Sequence, residues 1–146
     1  LLLYVLQDHF SEIDLVKALG MALVHDLGEA YAGDISAVLK TDRQRKFEEE
    51  KAGIEKLVQS LPPKIAQQIL DLFLEYNAGL TPEAKLVKSL DKIETIVQHN
   101  QGQNPADFDY AFNLHYGKDH TDAFSVTKSI RSLLDLETEE RVNAAK

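Results

Sequence analysis

The sequence predicts an all-α fold, a bundle of five or six helices. Three observations carry that expectation. Apolar residues recur at spacings of three and four along several segments, the pattern of helices that bury one face. Capping residues, prolines and glycines mark the ends of those segments. No segment of any length alternates with period two, and no hairpin turn separates β-branched runs.

Taken in order, residues 1 to about 8 read as the end of a buried helix, and Asp8 to Asp14 as a polar connection. Ser11 or Asp14 is placed to cap the next helix, and Ser11 with Asp14 resembles a capping box. That helix is expected to run to about Asp26. Leu15, Leu19 and Leu23 fall at i, i+4 and i+8, with Ala18 and Ala22 alongside, and form its expected buried stripe. Gly28 is expected to loosen its end. Residues 35 to 42 read as irregular or as a short helical turn. Asp42 then caps a charged helix from Arg43 to about Ser60, whose inward face is Phe47, Ile54, Leu57, Val58 and Leu61. Its Glu48-Glu49-Glu50-Lys51 run reads as a solvated face.

Pro62-Pro63 breaks the chain and opens a helix carrying Ile65, Ile69, Leu72, Phe73 and Tyr76, which stops at Asn77-Ala78-Gly79. Thr81-Pro82-Glu83 starts another helix: Thr as N-cap, Pro at the first position, Glu in the first turn. It is expected to reach about His99, with Leu86, Leu90, Ile93 and Val97 as its stripe and Asp91 at the stripe's edge. Gln101 to Asp107 reads as a loop, and the aromatic stretch 108 to 116 as a short helix. Thr121 or Asp122 caps a last helix with Phe124, Val126, Ile130, Leu133 and Leu134. The tail from Glu137 to residue 146 is expected to fray. No repeat or linker divides the chain, so residues 1–146 read as one domain.

Composition narrows the function. The 146 residues suffice for a sizeable core. Apolar content of 44% with 27% charged residues is that of a globular chain. The net charge of −8 disfavours nucleic acid and membrane surfaces as partners. No apolar run approaches the roughly 18 residues of a membrane span. Leu1 to Leu6 lacks the basic flank and cleavage site of a signal peptide. A cytoplasmic protein is the expectation. The absence of cysteine excludes disulfides and zinc–thiolate sites.

One stretch concentrates metal-type ligands. His25 and Asp26 are adjacent at the end of an apolar helix. Glu29 lies four residues past His25, on the same face if the helix continues. Asp34 follows Gly33. An imidazole with several carboxylates suits a divalent cation that keeps open positions for water and substrate. Plainer roles stand beside these. His25 and Asp26 can bond the terminal carbonyls of their helix, and Asp91 can pair with Lys88 or Lys92. Asp34 can be a turn or cap residue, and Glu29 can face solvent.

The segment Met21-Ala22-Leu23-Val24-His25-Asp26-Leu27-Gly28-Glu29-Ala30-Tyr31-Ala32-Gly33-Asp34-Ile35 resembles the core motif of HD-domain phosphohydrolases, and within them the 5′-deoxynucleotidase branch. Glu83-Ala84-Lys85-Leu86-Val87-Lys88-Ser89-Leu90-Asp91-Lys92 resembles that branch's later motif, whose Asp is the final metal ligand. The resemblance covers roughly residues 1 to 135. It implies an HD-domain helical bundle, often a homodimer, that removes phosphate from nucleotides with a divalent metal. It implies His25, Asp26 and Asp91 as metal ligands, and places Glu29 and Asp34 beside the metal and the attacking water. The family site also takes a His from an earlier helix, in a motif like Glu-His-Ser or Asp-His-Ser, whose place would be just before Leu1. The chain opens on apolar residues without Met or an N-cap, so residues upstream are expected.

The chemistry agrees with that resemblance. Phosphate monoester hydrolysis needs an in-line water and neutralised phosphate oxygens. A divalent metal supplies both, and His with carboxylates admits Co, Mn, Mg, Fe or Zn. Glu29 is the first candidate for proton transfer and Asp34 the second. Of Lys85, Lys88 and Lys92, only those turned toward Asp91 suit phosphate contact. The expected substrate is a nucleoside 5′-monophosphate, deoxynucleotides first. The alternatives are hydrolysis of another phosphorylated metabolite, or a non-catalytic dimeric helical scaffold with an incomplete metal site.

Overall fold

The computed structural model describes residues 1–33 and 42–144. Among the described residues there is no strand. The helices are α1 (Leu2–Val5), α2 (Leu15–Val24), α3 (Glu29–Ala32), α4 (Arg43–Val58), α5 (Pro63–Ala78), α6 (Pro82–Gln101), α7 (Lys118–Thr121) and α8 (Ser125–Ala144), with 3₁₀ turns at Gln7–His9 and Tyr110–Leu114. Five of the described helices have ten residues or more, in line with the all-α expectation. None is long and apolar enough to cross a membrane.

By its internal contacts the chain divides into two compact units. Residues 13–84 form one, and residues 1–12 with 85–146 form the other. The first contains the His25-Asp26 motif and is called the motif unit below; the second contains Asp91.

Within the motif unit the sequence's punctuation takes hold. Asp14 caps α2, accepting from the Lys17 amide at 3.0 Å. Ser11 does not complete a capping box; instead the Glu83 carboxylate accepts from the Asp14 amide at 3.1 Å. Glu75 receives Lys17 at 2.6 Å, and that hydrogen bond holds the Lys17 ammonium above its ordinary pKa. Asp42 caps α4 through the Gln44 amide at 2.9 Å. Pro63 opens α5, and Gly79 ends it in the left-handed region at φ 65°.

The buried face of α2 departs from expectation. Ala18, Met21 and Val24 are buried, while Leu23 is 77% exposed. Gly20 explains the rotation: a Cβ there would lie 3.0 Å from Leu72 Cδ1, so α5 approaches α2 along its small-residue side. Leu61, expected on an inward face, is also exposed, as is Ile65 on α5. Phe47 of α4 stacks on Phe73 of α5 at 6.0 Å between centroids.

In the other unit, α6 buries Leu86, Val87, Leu90, Ile93 and Ile96. The aromatic stretch forms the 3₁₀ turn capped by Asp109. The last helix begins at Ser125, later than Thr121 or Asp122 would have it, because residues 118–121 form α7 after Gly117. It continues to Ala144 instead of fraying from Glu137. Thr138 is fully buried there and exchanges hydrogen bonds with Asn100. Leu133 points outward at 68% exposure, and Arg131 occupies the interior.

Candidate metal centre

α2 ends at Val24, with His25 as its C-cap. Beyond it the hydrogen bonds tighten to i→i+3: the Leu27 amide to the Val24 carbonyl, and the Glu29 amide to the Asp26 carbonyl. The helix does not continue through the motif, so the i, i+4 argument relating His25 to Glu29 does not apply. Glu29 opens α3 instead.

His25 is held on two sides. Its ring packs 4.9 Å from the buried ring of Tyr76 on α5. Its Nδ1 lies 3.0 Å from the Ala22 carbonyl. A carbonyl only accepts, so Nδ1 carries a proton and Nε2 keeps its lone pair. Nε2 in turn lies 3.0 Å from Asp26 Oδ2. Two lone pairs at that distance repel, so a proton or a cation belongs between them. The geometry suits a divalent ion. Two donors each about 2.1 Å from one metal, at a right angle, are about 3.0 Å apart. A backbone carbonyl on the far ring nitrogen is the usual outer support of a metal-binding histidine.

The turn is positioned by contact with the α4 backbone. A Cβ on Gly28 would lie 2.4 Å from the Glu50 carbonyl oxygen, and one on Gly53 would lie 2.3 Å from the Gly28 carbonyl oxygen. Gly28 has ordinary right-handed helical angles. Its role is therefore close approach and not the loosening expected of it. Beside it, Lys46 bridges Glu29 at 3.1 Å and Glu50 at 3.2 Å. Burial pulls the Lys46 ammonium down, but its bonds to the two carboxylates outweigh this and hold its pKa above the ordinary value. Glu29 is thus a half-buried, ion-paired carboxylate, where the plainer reading had it facing solvent. Tyr76, Lys46 and Gly53 are contacts that sequence reasoning missed. They lie 51, 17 and 25 residues from the side chains or backbone they touch, with no local signal to connect them.

In the other unit Asp91 sits on α6, half-buried, with its Oδ2 2.8 Å from Lys92 Nζ. Asp34 lies outside the described residues. Among the described residues no three His, Asp or Glu side chains gather into an ion site. His99, on the same helix as Asp91, has its Nδ1 2.9 Å from Asn113 Oδ1.

The described residues are all-α, and a core helix ends in an imidazole and a carboxylate 3.0 Å apart. The chain belongs to the HD-domain family, which it matches over residues 1–131. HD domains generally depend on a divalent metal. Among similar proteins, the 5′-deoxynucleotidase HDDC2 of Dictyostelium discoideum is 42% identical over 88 residues, 60% of this chain and 46% of that protein. The 5′-deoxynucleotidase HDDC2 of Bos taurus is 29% identical over 133 residues, 88% of this chain and 62% of that protein. The 5′-deoxynucleotidase hdd1 of Schizosaccharomyces pombe is 38% identical over 86 residues, 56% of this chain and 43% of that protein. The chain spans about half the length of the curated relatives it matches.

Proposed function

We propose that this protein is a metal-dependent phosphohydrolase that removes phosphate from nucleoside 5′-monophosphates, deoxynucleotides first, with His25, Asp26 and Asp91 as metal ligands. The observation that supports this most is the His25–Asp26 donor pair, 3.0 Å apart, with the other ring nitrogen tied to the Ala22 carbonyl. A bound divalent ion, Mn, Co, Mg, Fe or Zn, supplies a lowered pKa for the attacking water and neutralises phosphate charge. His25 presents Nε2 in a fixed orientation, because Ala22 and Tyr76 restrain its ring. Asp26 and Asp91 offset cationic charge. Glu29, oriented by Lys46, takes the proton from the attacking water and returns one to the leaving 5′ alkoxide. Asp34 is the second candidate for that transfer. The reading includes a homodimer, the assembly implied by the family resemblance.

The test is phosphate release from a panel of ribo- and deoxynucleoside monophosphates with Mn, Co or Mg added in turn. Turnover that depends on metal and is lost in Asp26→Ala supports the reading. Glu29→Ala is expected to keep its metal and lose about 100-fold or more in rate. Unchanged turnover in Glu29→Ala would move the proton transfer to Asp34. Silence with metal bound would point to another phosphorylated metabolite. Silence with no metal bound would leave the helical scaffold as the better account.

A further inference from the structure

The Lys92 side chain does something that helix geometry alone does not provide. Neighbouring residues on a helix point about 100° apart and do not face each other. Yet Lys92 Nζ reaches back to Asp91 Oδ2 at 2.8 Å. The stem is folded over from one side by the chain just before α7. A Cβ on Gly117 would lie 2.5 Å from Lys92 Cγ and 2.7 Å from its Cβ. The Gly117 backbone therefore rests directly on the lysine stem, and its φ of +64° suits glycine there. The head lies 5.1 Å from the centroid of the Tyr116 ring, within cation–π range. Lys92 and Asp91 keep only 23% and 21% of their side chains exposed.

The segment that presses on Lys92 is itself anchored by a buried cation. Arg131, 1% exposed, donates through one terminal nitrogen to the Tyr116 carbonyl at 2.7 Å and through the other to the Asn113 carbonyl at 2.6 Å. Its Nε donates to Asp135 at 2.6 Å. All five guanidinium donors lie in one plane, so these three partners fix the segment in both position and direction. An exposed Lys–Asp pair would be worth little and would hold nothing in place. This pair is instead enclosed by a glycine backbone, a tyrosine ring and, behind them, an arginine clamp.

We propose that Lys92 is a positioning residue for Asp91: seated by Gly117 and Tyr116, it fixes the carboxylate in one orientation for a divalent ion. The proposal rests on the reading of Asp91 as a metal ligand. A carboxylate offers about four lone-pair positions. Lys92 takes one of them and removes the side-chain freedom that ion binding would otherwise have to freeze.

The experiment is isothermal titration of Mn²⁺ into the full chain and its variants, with helical content followed by circular dichroism. Lys92→Met keeps the stem that Gly117 contacts and removes the charge. It is expected to weaken Mn²⁺ binding about tenfold or more, as loss of an outer partner does. Lys92→Arg restores the charge on a similar stem and is expected to recover most of that loss. Tyr116→Leu, which leaves Lys92 in place, is expected to weaken binding about threefold. Mn²⁺ binding as tight as wild type, or tighter, in both Lys92→Met and Tyr116→Leu overturns the proposal. An Asp91→Ala variant separates the two levels. If it loses Mn²⁺ while Lys92→Met does not, the ligand reading stands and the role of Lys92 falls. If it binds as wild type does, the ligand reading falls and takes the proposal with it.

Discussion

The two units hold their proposed ligands by different physics. In the motif unit, the turn after His25 is set by backbone lying on backbone, Gly28 against Glu50 and Gly53 against Gly28, with no side chain between them. In the other unit, Asp91 is set by a relay of polar groups: Lys92, the Tyr116–Gly117 segment, and the Arg131 guanidinium that donates to the Tyr116 and Asn113 carbonyls. Steric seating tolerates no added atom but is indifferent to pH and salt. Polar seating tolerates changes of shape but depends on every donor finding its acceptor. The two halves should therefore fail under different substitutions.

The largest effect is expected in the motif unit. Gly53→Ala places a methyl group 2.3 Å from the Gly28 carbonyl oxygen, which is backbone and cannot swing aside. The turn and α4 must separate, at a cost of about 3 kcal/mol or more. Urea unfolding should show it, and Mn²⁺ binding should fall in parallel. Stability within about 0.5 kcal/mol of wild type would mean that the contact does not position the turn.

Next comes the polar seat. Arg131→Met fills similar space but leaves the Tyr116 and Asn113 carbonyls without their donor. The expected loss is about 3 kcal/mol. Because the effect is polar and not steric, Arg131→Lys should recover only part of it, a single ammonium being unable to reach three partners as a guanidinium does. Full recovery by lysine would break the contrast between the two units.

The smallest effect crosses the comparison. Lys46 is a polar contact beside the steric seat of the motif turn. Lys46→Met should cost about 1 kcal/mol near neutrality. Its folded-state pKa is raised, so its contribution is fully present below the unfolded value of 10.5 and is lost as pH rises through the higher folded value. The difference in stability between wild type and Lys46→Met should therefore be constant from pH 7 to 9 and shrink above about pH 10.5. A difference that grows with alkaline pH would contradict the bridge to Glu29 and Glu50.

Much of the helical framework was legible because its signals are local. Asp14, Asp42, Thr81 and Gly79 mark helix ends through bonds to residues a few positions away. The adjacency of His25 and Asp26 is written in the chain; the 3.0 Å approach of their side chains is not. What could not be read depends on distant packing. The leucines of α2 have the right period, but Gly20 draws α5 to another side of the helix and leaves Leu23 in water. Arg131 is interior because Asp135 and the carbonyls of Asn113 and Tyr116, 18 and 15 residues away, satisfy it. Gly28 reads as a loosened helix end. Only α4, arriving 22 residues later in the chain, shows that it is a point of contact. Asp91 was legible through its family motif, and the pairing with Lys92 was among the plainer alternatives. The pairing is present, and a carboxylate so paired keeps lone pairs for a second partner.

The most direct test of the central claim is anomalous scattering from crystals of the protein grown with Mn²⁺. The account predicts one strong peak bonded to His25 Nε2 and Asp26 Oδ2, each at about 2.2 Å. A peak at other residues, or none at a Mn²⁺ concentration that supports turnover, would contradict it.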